Sequence, residues 1–226
     1  MTQSALEIIE NGSQFFRLLQ TDDNSRYRSW EHCYLAFTKN RDERISSEIL
    51  DLLCLHLAFY LASWGMYRGS SFLLQKNYRI HTDAVRKLLS SEYRSLWGIS
   101  CVEYLDIPRN IDKLFDLQRV LKDIYTPIRI SAYESINRPK PTQDISDVLI
   151  TKILLGTLGC TPAYDRFFIK GLRDSGTLSS MFNRKGITNL SRYYVENNDL
   201  FEKWREEVSS HGLEYPQMKV LDMCFW

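Results

Sequence analysis

The chain has 226 residues, 44% hydrophobic and 13% aromatic, with a formal net charge of +1. That composition excludes a disordered chain, and the near-zero charge excludes a global pull toward nucleic acid or membrane, so any such binding must come from a local basic patch. Five cysteines stand apart in sequence, an odd number that fits free thiols in a reducing cytoplasm.

Ser4 to Gln20 carries Leu6, Ile9, Phe16 and Leu19 at helical spacing, and Asp22 to Ser25 reads as a turn. Arg26 to Thr38 reads as a second amphipathic helix with Trp30, Tyr34 and Phe37. The charged run Lys39 to Arg44 is then a solvated connection. Ile45 to Arg68 is the most apolar long segment, with leucines and aromatics on nearly every face, and is expected to be a buried central helix. Glu48, Asp51 and His56 interrupt it, and its unbroken apolar part falls short of the roughly 20 residues a bilayer needs. No membrane span, signal peptide or lipidation signature is expected.

Ser70 is placed as the cap of a short turn through Phe72, Leu73 and Leu74, and Thr82 or Asp83 as the cap of a helix carrying Val85, Leu88, Leu89 and Leu96. Pro108 suits the first turn of a helix that Thr126-Pro127 ends. Asn137 to Thr142, with two prolines, reads as a linker between an N-terminal lobe (1–136) and a C-terminal lobe (143–226) of one domain. Beyond it, helices are expected over Ser146–Leu158 and Tyr164–Leu172. Gly171 to Gly176 and Arg184 to Gly186 read as loops. Thr188 or Asn189 opens a long helix through Val208, and a terminal helix follows Tyr215-Pro216. No segment alternates with period two and no repeat is found. The expected fold is all-α.

Four stretches carry candidate chemistry. In Ile150 to Phe168, Lys152 lies early in an apolar helix and Pro162-x-x-Asp165 opens the next. A carboxylate at a helix start facing a cavity with a nearby amine suits base excision, where positive charge develops on a sugar. The competing reading makes Asp165 a helix cap and Lys152 a snorkelling side chain. The turn WGMYRGSS places Arg68 between two glycines with Ser70 and Ser71 after it, an arrangement for a phosphate or carboxylate. Alternatively, Arg68 satisfies carbonyls at the end of the preceding helix. The run Arg26-Tyr27-Arg28-Ser29-Trp30-Glu31-His32 interleaves basic and aromatic residues, as a nucleic-acid face does, or as an amphipathic helix with its rings inward does. Arg205 and His211, like Arg26 and His32, have five residues between them. No Cys-x-x-Cys, His pair at i,i+4, Walker loop, Gly-x-Gly-x-x-Gly or Gly-x-Ser-x-Gly is present, so no metal and no cofactor are expected.

Resemblances attach to some of these residues. The Lys152 to Asp165 segment resembles the helix-hairpin-helix DNA glycosylases, in which a hairpin lysine precedes a catalytic aspartate. The resemblance implies catalytic roles for Lys152 and Asp165; Arg68, Arg166, Ser70 and Tyr164 are the nucleic-acid or phosphate contacts expected beside them. The family's glycine-rich hairpin is replaced here by Asp147 to Thr151, the lysine–aspartate spacing is shorter, and two residues separate proline from aspartate. The Arg-x₅-His pattern is similar to the HEPN ribonucleases, implying RNA cleavage by Arg205 and His211 across a dimer. The segments RYRSWEHCY, HLAFYLASWGMYRGSSFLLQ, LLGTLGCTPAYDRFF and YPQMKVLDMCFW resemble blocks of a bacterial all-helical family to which no activity attaches. That resemblance implies a bacterial cytoplasmic origin and, as a setting, antiviral defence. The leading expectation is a DNA- or RNA-acting, glycosylase-like hydrolase. The alternative from another class is a helical interaction protein whose exposed apolar patch binds a protein partner.

Overall fold

A computed structural model describes residues 3–41, 45–176, 178–209 and 213–226. Among them every regular element is a helix. Ser4 caps α1 (Ala5–Gln20) in a capping box with Glu7. Arg26–Arg28 is a single 3-10 turn leading directly into α2 (Ser29–Asn40). Ser46 caps α3 (Ser47–Ser63).

The expected central helix is therefore shorter than Ile45 to Arg68, and it is not buried all round. Leu52, Leu55 and Phe59 are 47%, 50% and 57% exposed and form one outward stripe. The helix enclosed on every side is instead α7 (Asp147–Thr157), buried without a break from Leu149 to Thr157. Hydrophobic content alone does not say which helix neighbours will cover. α3 packs against α2, the 3-10 turn Tyr78–His81, α4 (Thr82–Leu88) and α7, which leave the Leu52, Leu55 and Phe59 stripe uncovered.

After α3 the chain turns through Gly65, at φ +76°, a left-handed conformation that favours glycine. Ser71, not Ser70, caps the next short 3-10 helix, Phe72–Gln75. Thr82 opens α4 but donates its hydroxyl to Arg79 O instead of capping, and Leu96 lies in a later 3-10 turn, Ser91–Leu96. A second capping box, Ser100 with Glu103, starts α5 (Cys101–Asp106).

Pro108 opens α6 (Pro108–Glu134), which runs through Pro127 instead of ending there. An interior proline costs about 3 kcal/mol. The following turns offset this: Ala132 is fully buried, and the Arg129 guanidinium donates to the carbonyls of Gln143 and Asp144.

In the second half, Ser146 caps α7, Asp165 caps α8 (Arg166–Ser175), and Asn183 caps α9 (Arg184–Glu196). The expected loops at Gly171 and at Arg184–Gly186 are thus helical. The expected long helix breaks at Asn197 into α9 and α10 (Asn198–Val208). α11 (Gln217–Cys224) ends the fold.

The two-lobe expectation is not how the core is arranged. α1 packs on α10 and α11, α5 on α9, and α2 and α3 on α7, so segments on either side of Asn137–Thr142 interlock. One continuous core runs from Ile8 to Phe225. No helix among the described residues is long and apolar enough to cross a membrane.

Candidate functional site

α7 packs across α3, which brings Lys152 beneath the turn that follows α3. The 3-10 turn at Arg26, the start of α8 and the residue Trp226 close in around it. Together they line a cavity of about 350 Å³ whose walls include Arg26, Tyr27, Trp64, Arg68, Lys152, Asp165, Arg166, Phe167 and Trp226.

Asp165 and Lys152 meet here. Lys152 Nζ donates to Asp165 Oδ2 at 2.8 Å, and the two side chains are 3% and 14% exposed. The other carboxylate oxygen, Oδ1, accepts the backbone N–H groups of Phe167 and Phe168 at 2.9 and 3.2 Å. Asp165 is therefore both the cap of α8 and the partner of a buried ammonium. The Lys152 ammonium also lies 5.0 Å from the centroid of the Trp64 ring, within cation–π range.

Arg68 and Arg166 line the same cavity. The Arg68 guanidinium lies against Gly65, where a Cβ would come within 3.0 Å of its Cζ. The alternative reading, in which Arg68 holds carbonyls at the end of α3, belongs to another arginine: Arg26 donates to Ser63 O at 3.1 Å and to the Tyr27 hydroxyl at 3.0 Å. Arg166 lies over the Phe167 ring at 4.6 Å. The two remaining expected contacts are elsewhere. Ser70 is exposed on the turn and does not line the cavity. Tyr164 is buried, its ring against Phe168 and Phe182 and its N–H on Thr151 Oγ1, so it is a core residue and not a ligand contact.

Aromatic rings form the rest of the wall. Tyr27, Trp64, Trp226 and Phe167 are joined by centroid separations of 5.3 Å (Tyr27–Trp64), 5.6 Å (Tyr27–Trp226) and 5.4 Å (Phe167–Trp226). The indole N–H groups of Trp64 and Trp226 are buried and have no acceptor among the described residues. The basic–aromatic run near Arg26 is divided: Trp30 turns inward and donates to Leu155 O, while Arg26 and Tyr27 face the cavity.

A second buried ion pair lies behind the first. Lys219 Nζ donates to Asp222 Oδ2 at 2.8 Å, and Asp222 Oδ1 accepts the Ala163 N–H. The Lys219 ammonium sits 5.5, 5.1 and 5.3 Å from the rings of Phe15, Trp30 and Trp64. Trp64 is thus flanked by both buried lysines. Sequence reading missed Lys219, Trp64 and Trp226 as a group. The i,i+3 spacing of Lys219 and Asp222 inside an apolar helix was the available signal for the first.

Other chemistry finds less support. All five cysteines are free and buried, and burial pushes every thiol up, Cys160 to about 12, so none is a ready thiolate. Among the described residues no three His, Cys, Asp or Glu side chains converge as metal ligands. Arg205 is committed to Glu202 Oε2 at 2.7 Å and Glu214 Oε1 at 2.9 Å, and its expected partner His211 lies outside the described residues.

The chain matches no protein-family model, and no curated protein or solved structure shows significant similarity to it.

Proposed function

We propose that this protein acts on nucleic acid by taking one nucleotide into the cavity around Lys152 and Asp165. The observation that carries the reading is the convergence of Arg26, Arg68, Lys152 and Arg166, against the single carboxylate of Asp165, on a space walled by Tyr27, Trp64, Phe167 and Trp226. Cations that track phosphates beside aromatic faces that stack bases are the two components of single-strand recognition. The volume of about 350 Å³ suits one nucleotide and not a duplex segment, so a nucleotide would enter unpaired.

The pair also suits base excision. As an N-glycosidic bond breaks, its electron pair leaves with the base and positive charge grows on the sugar. Asp165 would stabilise that charge, and water would form the new C1′–O bond while giving up a proton to the carboxylate. Lys152 would hold Asp165 in place. Attack by Lys152 itself would first require its proton to cross the 2.8 Å hydrogen bond to Asp165.

The test is binding to single-stranded DNA, duplex DNA and RNA across a salt series. Affinity for single strands is expected to fall steeply with salt, and Arg68→Ala or Arg166→Ala is expected to weaken binding and flatten the salt slope by roughly one. Abasic-site formation by the wild type but not by Asp165→Asn would support excision. Absence of binding to every nucleic acid at low salt would overturn the proposal. A second reading, a protein-interaction module, rests on the exposed stripe Leu52, Leu55 and Phe59 of α3.

A further inference from the structure

The charges in the cavity do not balance. Lys152 and Asp165 cancel each other at 2.8 Å. That leaves the guanidinium groups of Arg26, Arg68 and Arg166, none of which has a carboxylate partner among the described residues. Arg26 spends two donors on Ser63 O and the Tyr27 hydroxyl. The Arg68 and Arg166 guanidiniums make no hydrogen bond within the described residues. The only acidic side chain on the wall, Asp165, already accepts three hydrogen bonds.

The cavity is therefore rich in unmatched donors and positive charge and poor in unmatched acceptors. Guanidiniums offer donors and no acceptor, so the ligand complementary to three of them carries acceptors and more than one negative charge. An internal phosphodiester offers one charge and two non-bridging oxygens. A terminal phosphomonoester near neutral pH approaches two charges and offers three strong acceptor oxygens. Planar guanidiniums bind such a group in forked geometry, while the rings of Trp64, Trp226 and Phe167 provide apolar faces for an attached base.

Resting on the nucleic-acid reading above, we propose that the cavity recognises a nucleotide bearing a terminal phosphomonoester, in the form of a phosphorylated strand end or a free nucleoside monophosphate. Recognition is then of ends or mononucleotides, and internal nucleotides bind more weakly.

The experiment compares otherwise identical short single strands with a 5′-phosphate, a 3′-phosphate or hydroxyls at both ends, alongside a nucleoside monophosphate, its nucleoside and inorganic phosphate. Binding is followed by tryptophan fluorescence and calorimetry. One phosphorylated form is expected to bind at least about tenfold tighter than its hydroxyl counterpart, from the added charge-assisted hydrogen bonds. The advantage is expected to shrink from pH 7.5 to pH 5 as the monoester takes up its second proton, near pH 6, and to disappear in the Arg68→Ala/Arg166→Ala variant. Both arginines are exposed, so that variant is expected to keep its fold. Tight binding of the monophosphate alone would identify a free nucleotide as the source, and tight binding of phosphorylated strands alone a strand end. Equal binding of phosphorylated and hydroxyl-ended strands would overturn the terminal-phosphate proposal and leave the nucleic-acid reading standing. Inorganic phosphate binding as well as the nucleotides would remove the role of the rings. Failure of all strands and nucleotides to bind would overturn both.

Discussion

Lys152 is an ammonium group enclosed by protein, and its enclosure makes Asp165 structurally consequential whatever else the pair does. Removing one partner of a buried ion pair leaves an uncompensated charge, at a cost of about 3–5 kcal/mol, whereas replacing both with apolar or neutral groups is often tolerated. Asp165→Asn keeps an oxygen for the N–H groups of Phe167 and Phe168 but strands Lys152. Denaturant unfolding is expected to show Asp165→Asn destabilised by a few kcal/mol, and Lys152→Met/Asp165→Asn less destabilised than that single variant. Additive losses would mean the two side chains act independently. The pair was legible in the sequence because its members flank one helix–turn–helix segment. Their surroundings were not. Trp64 and Trp226 lie far apart along the chain, and Tyr27 and Arg26 looked like part of a helix face. Convergence of that kind has no local pattern to read.

Elements were read well where a capping residue and a periodic face coincide, as for α1 at Ser4 and α7 at Ser146. They were misread where a local signal was overruled by packing. Pro127 signals a helix end, yet burial of Ala132 and the anchoring of Arg129 carry α6 past it. The α3 segment is apolar all round, but its neighbours cover only part of it, and the enclosed helix is α7. That enclosure depends on close approach. Gly156 of α7 faces Tyr60 of α3, and an added Cβ would lie 2.3 Å from Tyr60 Cε1. Tyr60 is a fully enclosed ring with little room to yield. Gly156→Ala is expected to destabilise the fold by about 1–3 kcal/mol despite the better helix propensity of alanine. It is also expected to weaken ligand binding, because α7 sets the depth of Lys152 under the Trp64 turn. A Gly156→Ala protein as stable as wild type would show that α3 and α7 separate at little cost.

At the scale of the whole molecule, the all-α class followed from helical periodicity and the absence of any period-two segment, while the interlocking of the two halves did not, since a proline-containing linker reads the same whether or not its flanks share a core. One buried histidine ties this architecture to the site. His81 bridges the hydroxyls of Tyr67, 2.8 Å from Nε2, and Tyr125 of α6, 2.6 Å from Nδ1. Tyr67 adjoins Arg68, so the bridge secures the cavity turn to α6. Burial lowers the His81 pKa from 6.5 to about 3, and the folded protein keeps the ring neutral. Between those values the unfolded chain binds one more proton than the native state, so stability is full above about pH 6.5 and declines as pH falls toward 3. From pH 7 to pH 5 the loss attributable to His81 is about 2 kcal/mol at the linkage slope of about 1.4 kcal/mol per pH unit. Burial also lowers the pKa of His56, which contributes in the same direction, so the measurement compares variants. Urea midpoints of the wild type are expected to fall across this range, and those of His81→Gln, less stable at pH 7, to fall markedly less. Parallel pH profiles would place the titration elsewhere, whereas a flatter profile together with weaker ligand binding by His81→Gln would show that the neutral His81 bridge secures the turn that carries Arg68.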